Sequence, residues 1–475
     1  MRSIVSCLIS IFATVALLTG CTSLGELKPS RSVVAAYWHA TLPHGGRPAD
    51  LLSWWASFKD PSLDGLLGLA ARENPSVQEA IANINKARAT LDTARAGLFP
   101  SLDGSASATR EGNKGDDVNK ITAGANKSGA LDAGWELDLF GKTKKETQAA
   151  ASRAEGQIWS WHDARISVAA EVGDYYVQYR ACRQLERLYR DELASQTETI
   201  RVTEKSAQSG FTSTADLALA RASAATSSSN LTAQRGDCEI IVKSLVQLTG
   251  GDELVVRKLL GLGKSRIPQP PALRIASVPA EVLRQRPDIN ALEAEVAATV
   301  ADVGAAKADL YPSLSLSGSI SISESTVTGR SVPWSFGPAL SIPLLDGGAR
   351  RAAVRSAVAD YDIAVASYKS GVLSAVAEVE MALIRVNTAL RRITDAKTAA
   401  DNYQSYFSSV DQNWKSGGVS ILDREEARRS AQSAAITLIE IRRDAVQYWI
   451  ALYKSLGGGW SAPDDASIAS VNGIH

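Results

Sequence analysis

The residues best equipped for chemistry in this chain are carboxylates, and their spacing argues against catalysis. Asp132, Glu136 and Asp138 alternate with Leu131, Ala133, Trp135, Leu137 and Leu139. In an extended chain the acids then share one face and the apolar residues the other. Two acids on a strand could form a general acid–base pair, but acids at a period of two usually mark a face turned to water. His39, His44, His162 and His475 show no metal-ligand spacing. No glycine-rich phosphate loop or nucleophile elbow is present. With 51 basic and 51 acidic side chains the formal charge is zero, so nothing draws the chain toward nucleic acid. The expectation is a protein that is not an enzyme, with no catalytic residues, no metal and no cofactor.

The elements that position such faces are strands. From Ser313 to Ser323 every odd position is serine and every even one is apolar or glycine, a strand pattern with one hydroxyl face and one aliphatic face. A soluble sandwich would give this pattern, and so would a membrane barrel with lipid outside and water inside. The N-terminus bears on the choice. Arg2, an apolar run from Ile4 to Leu18, and then Leu18-Thr19-Gly20-Cys21 make a secretory signal rather than a spanning helix. A cysteine directly after Leu-Thr-Gly resembles the bacterial lipobox. That resemblance implies removal of residues 1–20, a covalent lipid on Cys21 and, because Thr22 follows rather than aspartate, delivery to the outer membrane.

The chain is also written twice. Asn74-Pro75-Ser76-Val77 is echoed by Arg286-Pro287-Asp288-Ile289, and Leu98-Phe99-Pro100-Ser101-Leu102 by Leu310-Tyr311-Pro312-Ser313-Leu314. Leu139-Phe140-Gly141 answers Leu345-Asp346-Gly347. Gly210-Phe211-Thr212-Ser213 with Asp216 answers Gly417-Gly418-Val419-Ser420 with Asp423, and Leu248-Thr249-Gly250-Gly251 answers Ser455-Leu456-Gly457-Gly458. Each unit reads as a short helix bounded by prolines (about 76–97 and 288–310), a pair of strands, a very long proline-free helix and a return helix. The strands are expected at about 101–110 and 130–140, then at 313–323 and 334–345. Residues 111–129 are rich in Gly, Asn, Lys and Asp and read as a solvent loop. The long helices, about 142–209 and 349–415, would each reach about 100 Å. A short and a return helix stacked end to end nearly match that length, so one long helix can run antiparallel to two shorter ones. Cys182 and Cys238 lie about equally far on either side of the break at Gly210-Phe211. An antiparallel pair therefore allows a disulfide between them, with two separate buried thiols as the alternative.

With this plan in place, the chain resembles a TolC-like outer-membrane efflux protein of the NodT-type lipoprotein branch. The carrying residues are the lipobox at Cys21, Trp54-Trp55 with Phe58, Asp60-Pro61 and Leu63, the two helix starts at Pro75 and Pro287, the Pro100 and Pro312 turns, and the two Gly-x-x-Ser breaks followed by aspartate. The resemblance implies a mixed α and membrane-β fold. Each chain would give four strands to a shared trimeric 12-stranded barrel, which continues as a long periplasmic α-helical barrel. The domain plan is a signal peptide at 1–20, a lipid-anchored equatorial segment at 21–74 and a first repeat at 75–250 with its hairpin at 101–140. An equatorial linker at 251–287, a second repeat at 288–457 with its hairpin at 313–346 and a tail at 458–475 complete it. The implied function is the outer-membrane channel of a tripartite efflux or secretion system, which passively conducts small molecules. The implied partners are two further copies, a periplasmic membrane-fusion adaptor, an inner-membrane pump of the RND type and outer-membrane lipid. The family places a gate at Leu422, Asp423 and Glu426. It places adaptor contacts at the tips: Gly210, Phe211, Ser213 and Asp216, with Gly417, Gly418, Val419 and Ser420. The competing reading, a periplasmic coiled-coil structural lipoprotein, explains the helices but not strands at duplicated positions.

Overall fold

The computed structural model describes residues 54–114, 121–263, 266–269, 283–326 and 329–458; Cys21 and the tail beyond 458 lie outside them. A 3-10 turn, Ala56–Phe58, leads into α1 (Pro61–Glu73) and α2 (Pro75–Ala96). The hairpin β1 (Ser101–Lys114) and β2 (Ile121–Leu137) follows, then α3 (Lys142–Gln208), α4 (Thr214–Thr249) and α5 (Glu253–Leu262). The second unit holds α6 (Pro287–Ala308), β3 (Ser313–Ser325), β4 (Gly329–Ser331), β5 (Trp334–Ser341), α7 (Ala349–Lys415) and α8 (Ile421–Ser455).

The two long helices are each 67 residues. Helix α3 packs against both α2 and α4 on one flank and both α6 and α8 on the other, while α7 packs against α6 and α8. Helices α2 and α4 have 22 and 36 residues, and α6 and α8 have 22 and 35, so each pair together spans most of one long helix. The caps explain where these helices begin. Asn74 accepts from the N–H groups of Ser76 and Val77 at the start of α2, with Pro75 in the first turn where its missing N–H costs nothing. Among the described residues no helix is long and apolar enough to cross a membrane.

The core lies where α1 leans on α3 and α4 and α5 packs on α1 and α4, well away from the strands. Trp54, Tyr176, Leu245, Leu383, Trp449 and Tyr453 belong to one buried cluster. The Tyr176 hydroxyl donates to Asp60 Oδ2 at 2.6 Å, and Arg180 donates to that hydroxyl, to Ser62 Oγ and to the Leu260 carbonyl. This buried polar knot ties three helices together. The structure joins Cys182 of α3 to Cys238 of α4, with the Cα atoms 5.6 Å apart, at the level the antiparallel pairing requires.

The described strands form one antiparallel sheet in the order β1-β2-β3, with β4 and β5 both pairing to β3. One expectation needs correction here. Residues 111–129 are mostly strand: Glu111 pairs with Gly124 and Ser107 with Ser128. The ladder is made by backbone groups and does not need the apolar side chains that mark a buried strand, so a polar, glycine-rich stretch continues it. The hairpins also stop earlier than expected, at Leu137 and Ser341, and α5 occupies the start of the linker at 251–287.

Candidate functional site

The sheet has two chemically distinct faces, and the register shows which residues share them. Asp103 of β1 stands directly opposite Asp132 of β2, which stands opposite Ser319 of β3, which stands opposite Ser335 of β5. Cross-strand partners point to the same side, so this row and those around it make one polar face. Its hydroxyls pair across strands: Ser107 with Ser128 at 2.8 Å, Ser319 with Ser335 at 2.9 Å and Ser323 with Ser331 at 2.7 Å. The opposite face carries Leu102, Leu131, Ile320, Trp334, Phe336 and Leu340. Trp334 and Phe336 are 76% and 78% exposed in the protomer. An apolar surface of that extent is covered by lipid or protein, not by water. Among the described residues the sheet also ends in two unpaired edges, β1 and β5, and an open edge is not tolerated in hydrocarbon. Three copies joined edge to edge satisfy both demands, giving a barrel of twelve staves with β4 and β5 sharing one.

Strand becomes helix at a pinned junction. Asp138 accepts from the N–H groups of Thr143 and Lys144 at the start of α3, and Asp346 from those of Gly348 and Arg350 at the start of α7. Asp138, in the alternating acid run, is therefore a helix cap. Lys142 reaches Asp309 at 2.7 Å, and Phe140 stacks on Tyr311 with ring centroids 4.8 Å apart, which binds the first unit to the second.

The far end holds the two helix-turn tips. Gly210 and Gly417 have φ of +77° and +82°, a conformation that favours glycine. They close α3 and α7 with 6→1 bonds from Phe211 N–H to the Ser206 carbonyl and from Gly418 N–H to the Asn413 carbonyl. Each return helix then opens on a capping box, Ser213 with Asp216 and Ser420 with Asp423. Hydrogen bonds from the Ser420 hydroxyl and backbone hold the Asp423 carboxyl below the usual range, and those from Ser213 do the same for Asp216. Phe211 is 88% exposed. Gly418 is exposed and Val419 half-buried. Leu422, Asp423 and Glu426 are exposed together on one side of α8, whereas Ile421, Arg424, Glu425 and Arg428 are buried on the other.

That buried side contains a network that reading the sequence missed. Arg424 donates to Asp411 Oδ1 at 2.7 Å and to Glu425 Oε1 at 2.9 Å, and its guanidinium lies 4.7 Å from the centre of the Trp414 ring. Arg428 donates to Glu425 Oε2 at 2.9 Å and pairs with Glu192. Gln196 donates to Glu425 Oε2 at 2.8 Å, and Ser227 donates to Glu192. Burial pushes Asp411 up, but the bonds from Lys415 and Arg424 outweigh it and leave its carboxyl low. All four tip helices, α3, α4, α7 and α8, meet in this cluster. The visible signal was the charged run Arg424-Glu425-Glu426 with Arg428. The i, i+3 spacing of Glu425 and Arg428 makes them neighbours on a helix, but it does not say that this face turns inward.

A bore-facing polar sheet that needs three copies to close, continued by helices of about 100 Å, defines an outer-membrane channel with a periplasmic conduit. The chain belongs to the outer membrane efflux protein family, whose model matches residues 66–251 and 278–458. It is 30% identical to Nodulation protein T of Rhizobium leguminosarum bv. trifolii over 94% of this chain and 96% of that one. It is 29% identical to the solvent efflux pump outer membrane protein SrpC of Pseudomonas putida, over 94% and 97%. The solved outer-membrane channel OprN superposes with a TM-score of 0.79 at 28% identity, covering 90% of this chain and 98% of that one. The protein is the trimeric outer-membrane channel of an efflux system, and it extends into the periplasm.

Proposed function

We propose that this channel is a passive conduit whose periplasmic tips both meet its partners and close its bore. Residues 75–250 and 288–457 act as two repeats of one wall unit, 21–74, 251–287 and 458–475 belong to its waist, and a lipid on Cys21 anchors the mature chain after loss of residues 1–20. A periplasmic membrane-fusion adaptor docks at Gly210, Phe211, Ser213 and Asp216 and at Gly417, Gly418, Val419 and Ser420. An inner-membrane pump of the RND type supplies the energy and delivers small, solvent-like molecules of the kind named for the Pseudomonas relative.

The observation that supports the closing role is the two-sidedness of the start of α8. Its buried side is locked to α3 and α7 by Arg424, Glu425 and Arg428, which leaves Leu422 and Glu426 presented together on the exposed side. Three symmetry copies of that pair around a narrow passage would form an apolar constriction beside a ring of carboxylates, which repel one another and attract cations. Asp423 contributes there mainly through its capping box. In single-channel recordings, Leu422→Ala combined with Glu426→Gln is expected to raise conductance. Conductance equal to that of the unsubstituted trimer would remove these residues from the gate. The mass of the mature chain after membrane extraction tests the anchor. An acylated Cys21 at the N-terminus is expected, and an unmodified residue there would contradict it.

A further inference from the structure

The outward face of the barrel changes character at one level, and the ladder register locates it. On β2 and β3 the outward residues pair as Leu137–Leu314, Trp135–Leu316, Ala133–Gly318, Leu131–Ile320 and Gly129–Ile322. None carries a charge. Four steps of two residues cover about 27 Å along a strand, or roughly 20 Å of height once strands tilt by about 40°, close to the height of a lipid-facing band. The next outward pair is Lys127–Glu324, and the same row continues to Arg330 on β4. One step further out, Arg110 stands outward on β1 opposite Ala125. All four side chains are exposed.

Among the described residues, three cations against one carboxylate leave this rim positive in each protomer, and the trimer repeats it around the barrel. The other acids on the described strands of the hairpin do not share this face. Asp103, Glu111, Asp132 and Glu136 occupy the alternate positions and project into the bore. Cations at the upper border of an apolar band sit at headgroup depth, where lipid phosphates are the available counter-charge. We propose that Arg110, Lys127 and Arg330 form a rim that holds the phosphate groups of outer-leaflet lipids, with Glu324 between Lys127 and Arg330 limiting its charge. The proposal rests on the apolar face of the sheet being the lipid-facing one.

The test places purified trimers in phosphatidylcholine nanodiscs that contain a fixed fraction of lipid A, either bearing both phosphates or stripped of them. Native mass spectrometry then counts the lipid retained per trimer. The unsubstituted trimer is expected to retain the phosphorylated form several-fold over the stripped one. The triple variant Arg110→Gln, Lys127→Gln, Arg330→Gln should lose that preference while still running as a trimer, and Glu324→Gln should increase it. Free inorganic phosphate should not displace the lipid. Equal retention of the two lipid forms, an unchanged preference in the triple variant, or displacement by inorganic phosphate would overturn the proposal. Should the triple variant fail to assemble, Glu324→Gln decides alone, and an unchanged preference there counts against the rim.

Discussion

At the scale of single residues, the tip depends on charges that cannot be removed one at a time. Arg428 neutralises Glu425 and Glu192, all three well buried. Truncating one partner of such a set costs about 3–5 kcal/mol, because the other charges stay buried without it. Arg428→Ala should therefore speed hydrogen exchange in the adjoining turns of α3, α7 and α8 while leaving the waist unchanged; unchanged exchange at the tip would mean the network does not hold it. His162 makes a second prediction. Burial, aided by the nearby charge of Arg165, lowers its pKa from 6.5 to about 4. On acidification the unfolded imidazole takes up its proton first, below pH 6.5, and the folded one only near pH 4. Stability is therefore lost across that window, by at most about 1.4 kcal/mol per pH unit. His162→Phe should flatten the decline in protection of α3 around residue 162 between pH 6.5 and 4. An identical decline in both proteins would assign the acid sensitivity elsewhere. Residue roles of this kind were the least legible part of the sequence. Glu192 and Arg428 are 236 positions apart, and only the packing of α3 on α8 shows that they meet. The opposition of Asp103 to Asp132 likewise depends on the register, which alternation alone does not specify.

At the scale of elements, duplication made most of the fold readable. Paired prolines, glycine breaks and proline-free runs place every long helix to within a residue or two, because helix ends are set by local chemistry that sequence shows directly. The upper part of the first hairpin was not readable, since nothing in a Gly-Lys-Asn stretch distinguishes a loop from a strand held by its backbone. The pairing of α3 with α4 carries its own test. A bond from Cys182 to Cys238 closes a loop of 56 residues and should stabilise the protomer by roughly 4 kcal/mol. Unreduced protein should show no free thiol at these positions, and Cys182→Ser with Cys238→Ser should lower the melting temperature. Two reactive thiols in the untreated protein would contradict this. For the strands, Leu316 faces outward and Ser317 inward. Leu316→Arg should cost about 2–4 kcal/mol of barrel stability if it lies near the bilayer midplane, whereas Ser317→Arg should be mild. Equal losses, read from the denaturant midpoint of the trimer, would reverse the two faces.

At the scale of the whole molecule, the protomer makes physical sense only as one third of an object. Among the described residues its β1 and β5 edges lack partners and its apolar sheet face is bare, and its serine-lined face needs an enclosed aqueous volume to look into. The same assembly gives the helices their purpose, since walls of 67 residues reach far beyond anything a globular core requires. Thiol block of single channels tests this most directly. Ser317→Cys and Leu316→Cys trimers, with Cys182 and Cys238 bonded, are opened in a planar bilayer and treated with a bulky, membrane-impermeant thiol reagent. Ser317→Cys channels should lose conductance in two or three discrete steps, with each step a labelled chain lining the common bore, and Leu316→Cys channels should lose none. Loss at Leu316 equal to that at Ser317, or single-step block throughout, would contradict a barrel shared by three copies with its serines facing the export path.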